Sequence, residues 1–157
     1  MVSYLIPIDK IHYNLAVTRI VVDTNVFVGA CLGKGAANAV IQRCLRGDAL
    51  PLMGNTLFAE YEDVLARDEL FANCRLDRDE RDELFDIFVS CCEWVRVYFQ
   101  WRPNLRDEAD NHLIELAVAG GANFVVTRNL RDVASGELAF PNVKIVPPEQ
   151  FLKEINR

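Results

Sequence analysis

A chain of 157 residues, half of them hydrophobic, is long enough for one domain and too apolar for a disordered protein. Its net charge of -6 argues against a protein that holds nucleic acid through a broad basic face, because such binding depends on the neutralisation of phosphates. No run of 18 apolar residues indicates a membrane helix, and residues 1–18 lack the apolar core of a signal peptide. We therefore expect a cytoplasmic protein with no membrane partner.

The first half of the chain alternates between extended and helical patterns. Residues 1–18 form an extension of unclear role, and the buried run "RIVV" that follows predicts a strand covered on both faces. Three amphipathic helices are then predicted, over "AANAVIQRCLRG", "NTLFAEYEDVLAR" and "DRDERDELFDIFVSCC". Their end signals are Gly47 as the stop of the first, Asn55 or Thr56 as the cap of the second, and Asp77 with Glu80 as a capping box for the third.

The second half repeats the alternation more regularly. The segment "EWVRVYF" predicts a strand, and a helix, a strand, a polar loop and a late strand follow in "DEADNHLIELAVAGG", "NFVVT", "RNLRD" and "VKIV". A short helix ends the chain. This order predicts a single α/β domain over residues 19–157 with a mainly parallel sheet.

The five cysteines and two histidines limit the redox and metal chemistry. The cysteines are odd in number and lack a CxxC spacing, which suits free thiols in a reducing compartment. Only His12 and His112 could supply imidazole, so a zinc site is not expected. No serine lies in a GxSxG turn, so nucleophilic hydrolysis is also disfavoured.

Three carboxylates occupy positions that ordinary surface charge does not explain. Asp23 follows a buried strand directly, at the end where ligand sites gather in open parallel sheets. Glu60 falls at the margin of the apolar face of its helix, and Asp110 falls on the apolar stripe of a later helix. On that later helix the same spacing turns His112 outward, which predicts a solvated residue.

A fourth member of this group is expected in the loop after "NFVVT". Thr127, Asn129 and Asp132 occupy that loop, and either Asn129 or Asp132 could join the three carboxylates in one crevice. Because asparagine suits the cap of a following turn, we favour Asp132 as the acidic member. Hard oxygen ligands predict Mg²⁺ or Mn²⁺, which can activate water for phosphodiester hydrolysis.

At these residues the sequence resembles the PIN-domain family of metal-dependent ribonucleases, especially its bacterial toxin-like members. The resemblance rests on "VVDTNVFVGA", "LFAEYEDVL" and "DEADNHLIELAVAGGANFVVTRNLRD", and it covers residues 19 to about 148. It implies a three-layer α/β/α sandwich in which carboxylates hold divalent metal. The residues that it implies are Asp23, Asp110 and the acid of the last loop as ligands, Glu60 as the completing acid, and Thr24, Asn25 and Thr127 as supports.

The resemblance also implies a function and partners. It predicts a metal-dependent endoribonuclease with an RNA substrate, acting as the toxin of a toxin–antitoxin pair, with a small antitoxin protein and a homodimeric assembly. The sequence departs from many relatives at Asn129, where they have aspartate two residues after the threonine. The alternative is therefore a catalytically weak binding module of PIN fold that contacts protein or RNA.

Two further segments have weaker interpretations. The segment "GACLGKG" lacks the spacing and the hydroxyl residue of a nucleotide triphosphate loop, so it predicts a turn in which Lys34 contacts a substrate phosphate. A group of aromatic residues could stack RNA bases, although such groups more often form core or a dimer surface, which is our expectation here. Its members are Trp94, Tyr98, Phe99 and Trp101.

Overall fold

A computed structural model describes residues 17–97, 111–130 and 142–156 of the chain. Within these ranges five strands form one parallel sheet in the order β3-β2-β1-β4-β5. The extension predicted for residues 1–18 lies outside them except for its last two residues, and Thr18 already belongs to β1. The strands are β1 (Thr18–Val22), β2 (Ala49–Met53), β3 (Glu93–Trp94), β4 (Phe124–Val126) and β5 (Lys144–Val146).

Helices cover both faces of this sheet, which confirms the predicted three-layer α/β/α sandwich. In the described ranges they are α1 (Thr24–Cys31), α2 (Gly35–Arg46), α3 (Asn55–Leu65), α4 (Arg78–Cys91), α5 (Asn111–Gly120) and α6 (Pro148–Ile155). Helix α2 packs against α4 and α6, whereas α5 packs against β1, β2 and β4. Of the helices described, none is both long enough and apolar enough to cross a membrane.

Two helix ends follow the predicted sequence signals. At the start of α4 the Asp77 carboxylate accepts a hydrogen bond from the Glu80 N–H at 2.8 Å, and the Glu80 carboxylate accepts one from the Asp77 N–H at 3.1 Å. At the end of α2, Gly47 has φ of 82°, a left-handed conformation that glycine adopts without a steric penalty. Local sequence therefore determines where α2 ends and where α4 begins.

The start of α3 differs from the prediction. Asn55 and Thr56 were the expected caps, but Gly54 is the N-cap and the other two residues already lie in the helix. A Cβ on Gly54 would lie 3.3 Å from both Leu116 and the Val95 carbonyl oxygen. The turn after β2 therefore has little room for a side chain at position 54. Tight packing, and not side-chain capping, fixes where α3 begins.

The strand predicted over "EWVRVYF" is shorter than expected. Of its described residues, 93–97, Glu93 and Trp94 alone are paired with β2 as a strand, and the Val95 N–H makes one further bond to the Met53 carbonyl oxygen at 2.8 Å. Both strand residues are exposed. Among the described strands β3 lies at the edge of the sheet, and edge strands are often very short, which a hydrophobic pattern does not reveal.

A buried tyrosine ties β1 to α3. The Tyr61 hydroxyl donates to the Val22 carbonyl oxygen at 2.8 Å, and the Tyr61 ring packs edge-on against Phe27. Burial holds the pKa of Tyr61 well above its ordinary value, so the hydroxyl stays a donor. Because Val22 precedes Asp23 and Tyr61 follows Glu60, this bond also fixes the separation of the two carboxylates.

The strand order creates a crevice between β1 and β4. The chain moves from β1 outward to β2 and β3, then returns to the other side of β1 for β4 and β5. In open α/β sheets such a reversal opens a crevice at the carboxyl ends of the two central strands. Here those ends are Val22 and Val126, so Asp23 and Thr127 are the first residues in the crevice.

Candidate metal centre

Asp23 lies at the bottom of this crevice, with only 4% of its surface exposed. Its N–H donates to the Val126 carbonyl oxygen at 3.0 Å, which anchors it to β4. Its Oδ2 accepts hydrogen bonds from the Thr127 hydroxyl at 2.7 Å and from Asn25 Nδ2 at 3.1 Å. Oδ1 is held more loosely, with the Thr24 hydroxyl at 3.5 Å, and is therefore the oxygen better placed to take a cation.

The surroundings of Asp23 disfavour its charge in the absence of a cation. Burial raises the pKa of the Asp23 carboxyl most strongly, and the Glu60 carboxylate raises it further. The hydrogen bond from Thr127 is the main cause that lowers this pKa, and His112 lowers it slightly. A bound divalent cation would offset both the desolvation and the repulsion, so this carboxylate fits a metal ligand.

Glu60 reaches the crevice from α3, and its neighbours Glu62 and Asp63 point to solvent, as the helical spacing predicts. Its Oε2 lies 2.7 Å from His112 Nε2, with 34% of the glutamate side chain and 12% of the histidine side chain exposed. The contact is short enough for an ion pair when the imidazole is protonated, but it is not aligned as a hydrogen bond.

The prediction that His112 faces outward is wrong. Helix α5 packs against α3 as well as against the sheet, so a second side of the helix is covered. Leu116, one turn later on the side of His112, is also buried. An apolar residue four positions after the histidine was the available signal that this side of the helix is inside.

The loop after β4 contributes a network of polar bonds to the crevice. Thr127 is completely buried, and its Oγ1 both donates to Asp23 and accepts from the Asn129 N–H at 2.9 Å. Asn25 spans the crevice, because its Nδ2 contacts Asp23 and its Oδ1 accepts from the Arg128 N–H at 3.2 Å. The two strand ends are therefore held together through polar side chains of the crevice.

The structure places some of the predicted site residues together. Asp23, Glu60, Thr24, Asn25, Thr127 and Asn129 surround the crevice, whereas Asp110 and Asp132 lie outside the described residues. Across the described ranges no three His, Cys, Asp or Glu side chains form a metal-binding group. The full ligand set remains a prediction.

Lys34 lies in the turn after α1, the helix that begins directly after Asp23. It is the N-cap of α2, on the exposed turn that follows α1, and Gly33 before it adopts φ of 77°. This geometry agrees with the predicted turn. No contact within the described part of the chain joins Lys34 to Asp23 or Glu60.

A cleft of about 570 Å³ opens beside the Glu60–His112 pair. It lies between the start of α3, the segment that follows β3 and the first two turns of α5. Its lining includes Asn55, Trp94 and Arg96 together with His112. The cleft therefore lies at the same end of the parallel strands as Asp23, on the side of β2 and β3.

Known proteins share both the sequence pattern and the fold. The sequence profile of the PIN domain matches residues 19–131. A chain of VapBC2 from Rickettsia felis, solved bound to a DNA fragment from their promoter, has a similar fold with a TM-score of 0.55 at 15% identity, covering 82% of this chain and 97% of that one. No curated protein matches this chain. Because the profile spans most of the chain, from β1 and Asp23 to the loop after β4, this protein belongs to the PIN-domain family.

Proposed function

We propose that this protein is a Mg²⁺- or Mn²⁺-dependent endoribonuclease that hydrolyses RNA phosphodiester bonds. The observation that carries the proposal is Asp23, a buried carboxylate whose Oδ2 is oriented by two polar neighbours and whose Oδ1, held only loosely by Thr24, is placed for a cation. PIN domains are generally nucleases that depend on divalent metal, which supports the same conclusion. The acidic character of the whole chain agrees with phosphate contact through metal and not through a basic surface.

The residues divide into ligands and groups that orient them. Asp23, Asp110 and Asp132 would hold the cation, and Glu60 completes the acidic centre. When bound, a divalent cation supplies Lewis-acid activation of the attacking water and stabilises the leaving oxygen. Thr127 and Asn25 restrict the Asp23 carboxylate to one orientation, and the imidazole of His112 lies against the Glu60 carboxylate, 2.7 Å away.

The first test is cleavage itself. Purified protein should cut single-stranded RNA in Mn²⁺ and lose that activity in excess chelator, because the carboxylates act through the metal. Asp110→Asn should remove most cleavage while its circular dichroism stays that of the parent. Glu62→Gln, on the solvent side of α3, is the matched control and should cleave normally. Undiminished cleavage in chelator, or by the Asp110→Asn protein, would contradict the proposal.

For the fourth member of the metal site we propose Asp132. Asn129 donates its N–H to the Thr127 hydroxyl, which supports a role in shaping the loop. Asp132→Asn should therefore weaken Mn²⁺ binding by about tenfold or more, and more than Asn129→Ala does, because it removes a charge from the site. Calorimetric titration of the folded variants measures both. The reverse ranking would make Asn129 the ligand.

We propose a small antitoxin as the protein partner and a homodimer as the assembly. The PIN-domain family and the structural likeness to VapBC2 support this assignment. An antitoxin segment presenting Arg or Lys to the acidic crevice would form charge-assisted hydrogen bonds there. Expression of this chain alone should slow growth, and co-expression with a neighbouring small reading frame should restore it. Harmless expression without such a neighbour would contradict the toxin role and leave the nuclease proposal intact.

A PIN-fold binding module is the second candidate function. The neutral Asn129, which stands where many relatives have aspartate, favours it, because a weakened metal site would support binding without chemistry. The titration with Mn²⁺ separates the two candidates. Binding that disappears in Asp23→Asn supports the enzyme, whereas a parent protein that binds no Mn²⁺ supports the module.

A further inference from the structure

The cleft beside His112 lies on the same edge of the sheet as Asp23. Gly54 follows β2 and Val95 follows β3, so its walls are built at the carboxyl ends of the two strands on one side of β1. Its volume of about 570 Å³ falls inside the range of roughly 300–1,000 Å³ that is typical of small-molecule sites. The cleft is thus large enough for part of a substrate bound at the acidic centre.

Trp94 gives the cleft an aromatic wall. Trp94 is 47% exposed, although burial of a tryptophan in the core would be strongly favourable. Phe58 supports the ring, with the two ring centroids 5.7 Å apart, and Phe58 is in turn packed against Phe85. A supported but half-exposed indole inside a cleft is the arrangement on which nucleic-acid bases stack.

Arg96 brings a cation to the same cleft. It lies two residues after Trp94, is exposed, and forms none of the ion pairs found among the described residues. The opposite wall carries Asn55 and Thr56, both exposed polar residues at the start of α3. An aromatic surface, a cation and hydrogen-bonding groups within one cleft match the base, the phosphate and the edges of a nucleotide.

We propose that this cleft binds one nucleotide of single-stranded RNA beside the bond that is cleaved, with its base stacked on Trp94 and a phosphate paired with Arg96. The inference rests on the proposed nuclease function and names its substrate class. A base inside a duplex is stacked on its neighbours and cannot reach an indole, so the cleft selects unpaired RNA. The aromatic group that we expected to form core or a dimer surface then has, through Trp94, a role in substrate binding.

The test uses the fluorescence of Trp94. The chain has two tryptophans, so Trp101→Phe leaves Trp94 as the only one. This protein is titrated with a short single-stranded RNA in Ca²⁺, which carboxylates also bind, and in Mn²⁺, with cleavage followed in parallel on a gel. Single-stranded RNA should quench the fluorescence, and the same sequence in a duplex should not.

Binding of labelled RNA by variants measures how much each residue contributes to the affinity. Trp94→Ala should weaken binding roughly 5- to 150-fold, as for the loss of one stacked base, whereas Trp94→Tyr should retain most of the affinity. Arg96→Gln should weaken binding and reduce its salt dependence by about one phosphate contact. Ile87→Ala removes an equally exposed hydrophobic residue on α4 and should change nothing.

The outcomes separate this inference from the nuclease proposal. RNA that is cleaved without quenching Trp94 overturns the subsite and leaves the nuclease intact. Quenching without chelator-sensitive cleavage supports the subsite and removes the nuclease. Equal quenching by duplex RNA, or quenching by an acidic peptide and not by RNA, overturns the assignment to single-stranded RNA.

Discussion

Asp23→Asn should lower RNA cleavage on the order of 100-fold or more and, in the same protein, raise the melting temperature measured in chelator. The loss of activity follows from the loss of a charged ligand, because metal catalysis contributes several kcal/mol and each 1.4 kcal/mol of barrier is about tenfold in rate. Asparagine can still accept the bonds from Thr127 and Asn25, so the crevice should keep its shape. Activity and stability are then expected to move in opposite directions.

The gain in stability has a defined pH dependence. Burial raises the pKa of Asp23 in the folded chain above its unfolded value. The carboxyl therefore makes its full contribution to the free energy of unfolding only at pH values below the unfolded pKa. That contribution is lost as the pH rises through the folded pKa. The asparagine protein should therefore match the parent in acid and exceed it at neutral pH, as thermal unfolding across this range would show.

Metal and a matched control complete the experiment. Mn²⁺ should raise the melting temperature of the parent protein, since a ligand that binds only the folded state stabilises it, and should leave Asp23→Asn unchanged. Asp86→Asn removes an exposed carboxylate on α4 and should resemble the parent in every measurement. An Asp23→Asn protein that melts lower than the parent in chelator would show that burial does not govern this carboxylate.

The sequence was most informative where one local rule applied. Asp23 could be identified because the unbroken apolar run Ile20 to Val22 predicts a fully buried strand, and a carboxylate at its end needs a partner. Glu60 could be placed because α3 has one buried face, so angular position distinguishes it from Glu62. Capping and glycine signals also depend on local sequence alone, and they located the start of α4 and the end of α2.

The sequence was least informative where two elements meet. His112 was placed outward because a helical wheel assumes a single buried face, whereas α5 is covered by the sheet and by α3. The cap of α3 was missed because close packing of Leu116 and Val95 around Gly54 is a tertiary property. The cleft with Trp94 arises from the short pairing of β3 and the position of α5, neither of which has a local signature.

Thr127→Val should reduce Mn²⁺ affinity and cleavage by about 10- to 100-fold, the usual effect of removing a group that orients a metal ligand. Valine has nearly the shape of threonine, so the change removes one hydroxyl from a fully buried position. That hydroxyl donates to Asp23 Oδ2 at 2.7 Å and accepts from the Asn129 N–H at 2.9 Å, so its loss should also cost about 1–3 kcal/mol of stability.

The pH dependence of this variant distinguishes orientation of the ligand from simple destabilisation. The Thr127 bond lowers the pKa of Asp23, so its removal should raise that pKa further and let protons compete better with metal. Calorimetric titrations with Mn²⁺ should then show a deficit that grows as the pH falls. Thr127→Ser keeps the hydroxyl and should bind like the parent. A folded Thr127→Val protein with parental Mn²⁺ affinity at every pH would mean that Asn25 alone suffices to orient the Asp23 carboxylate.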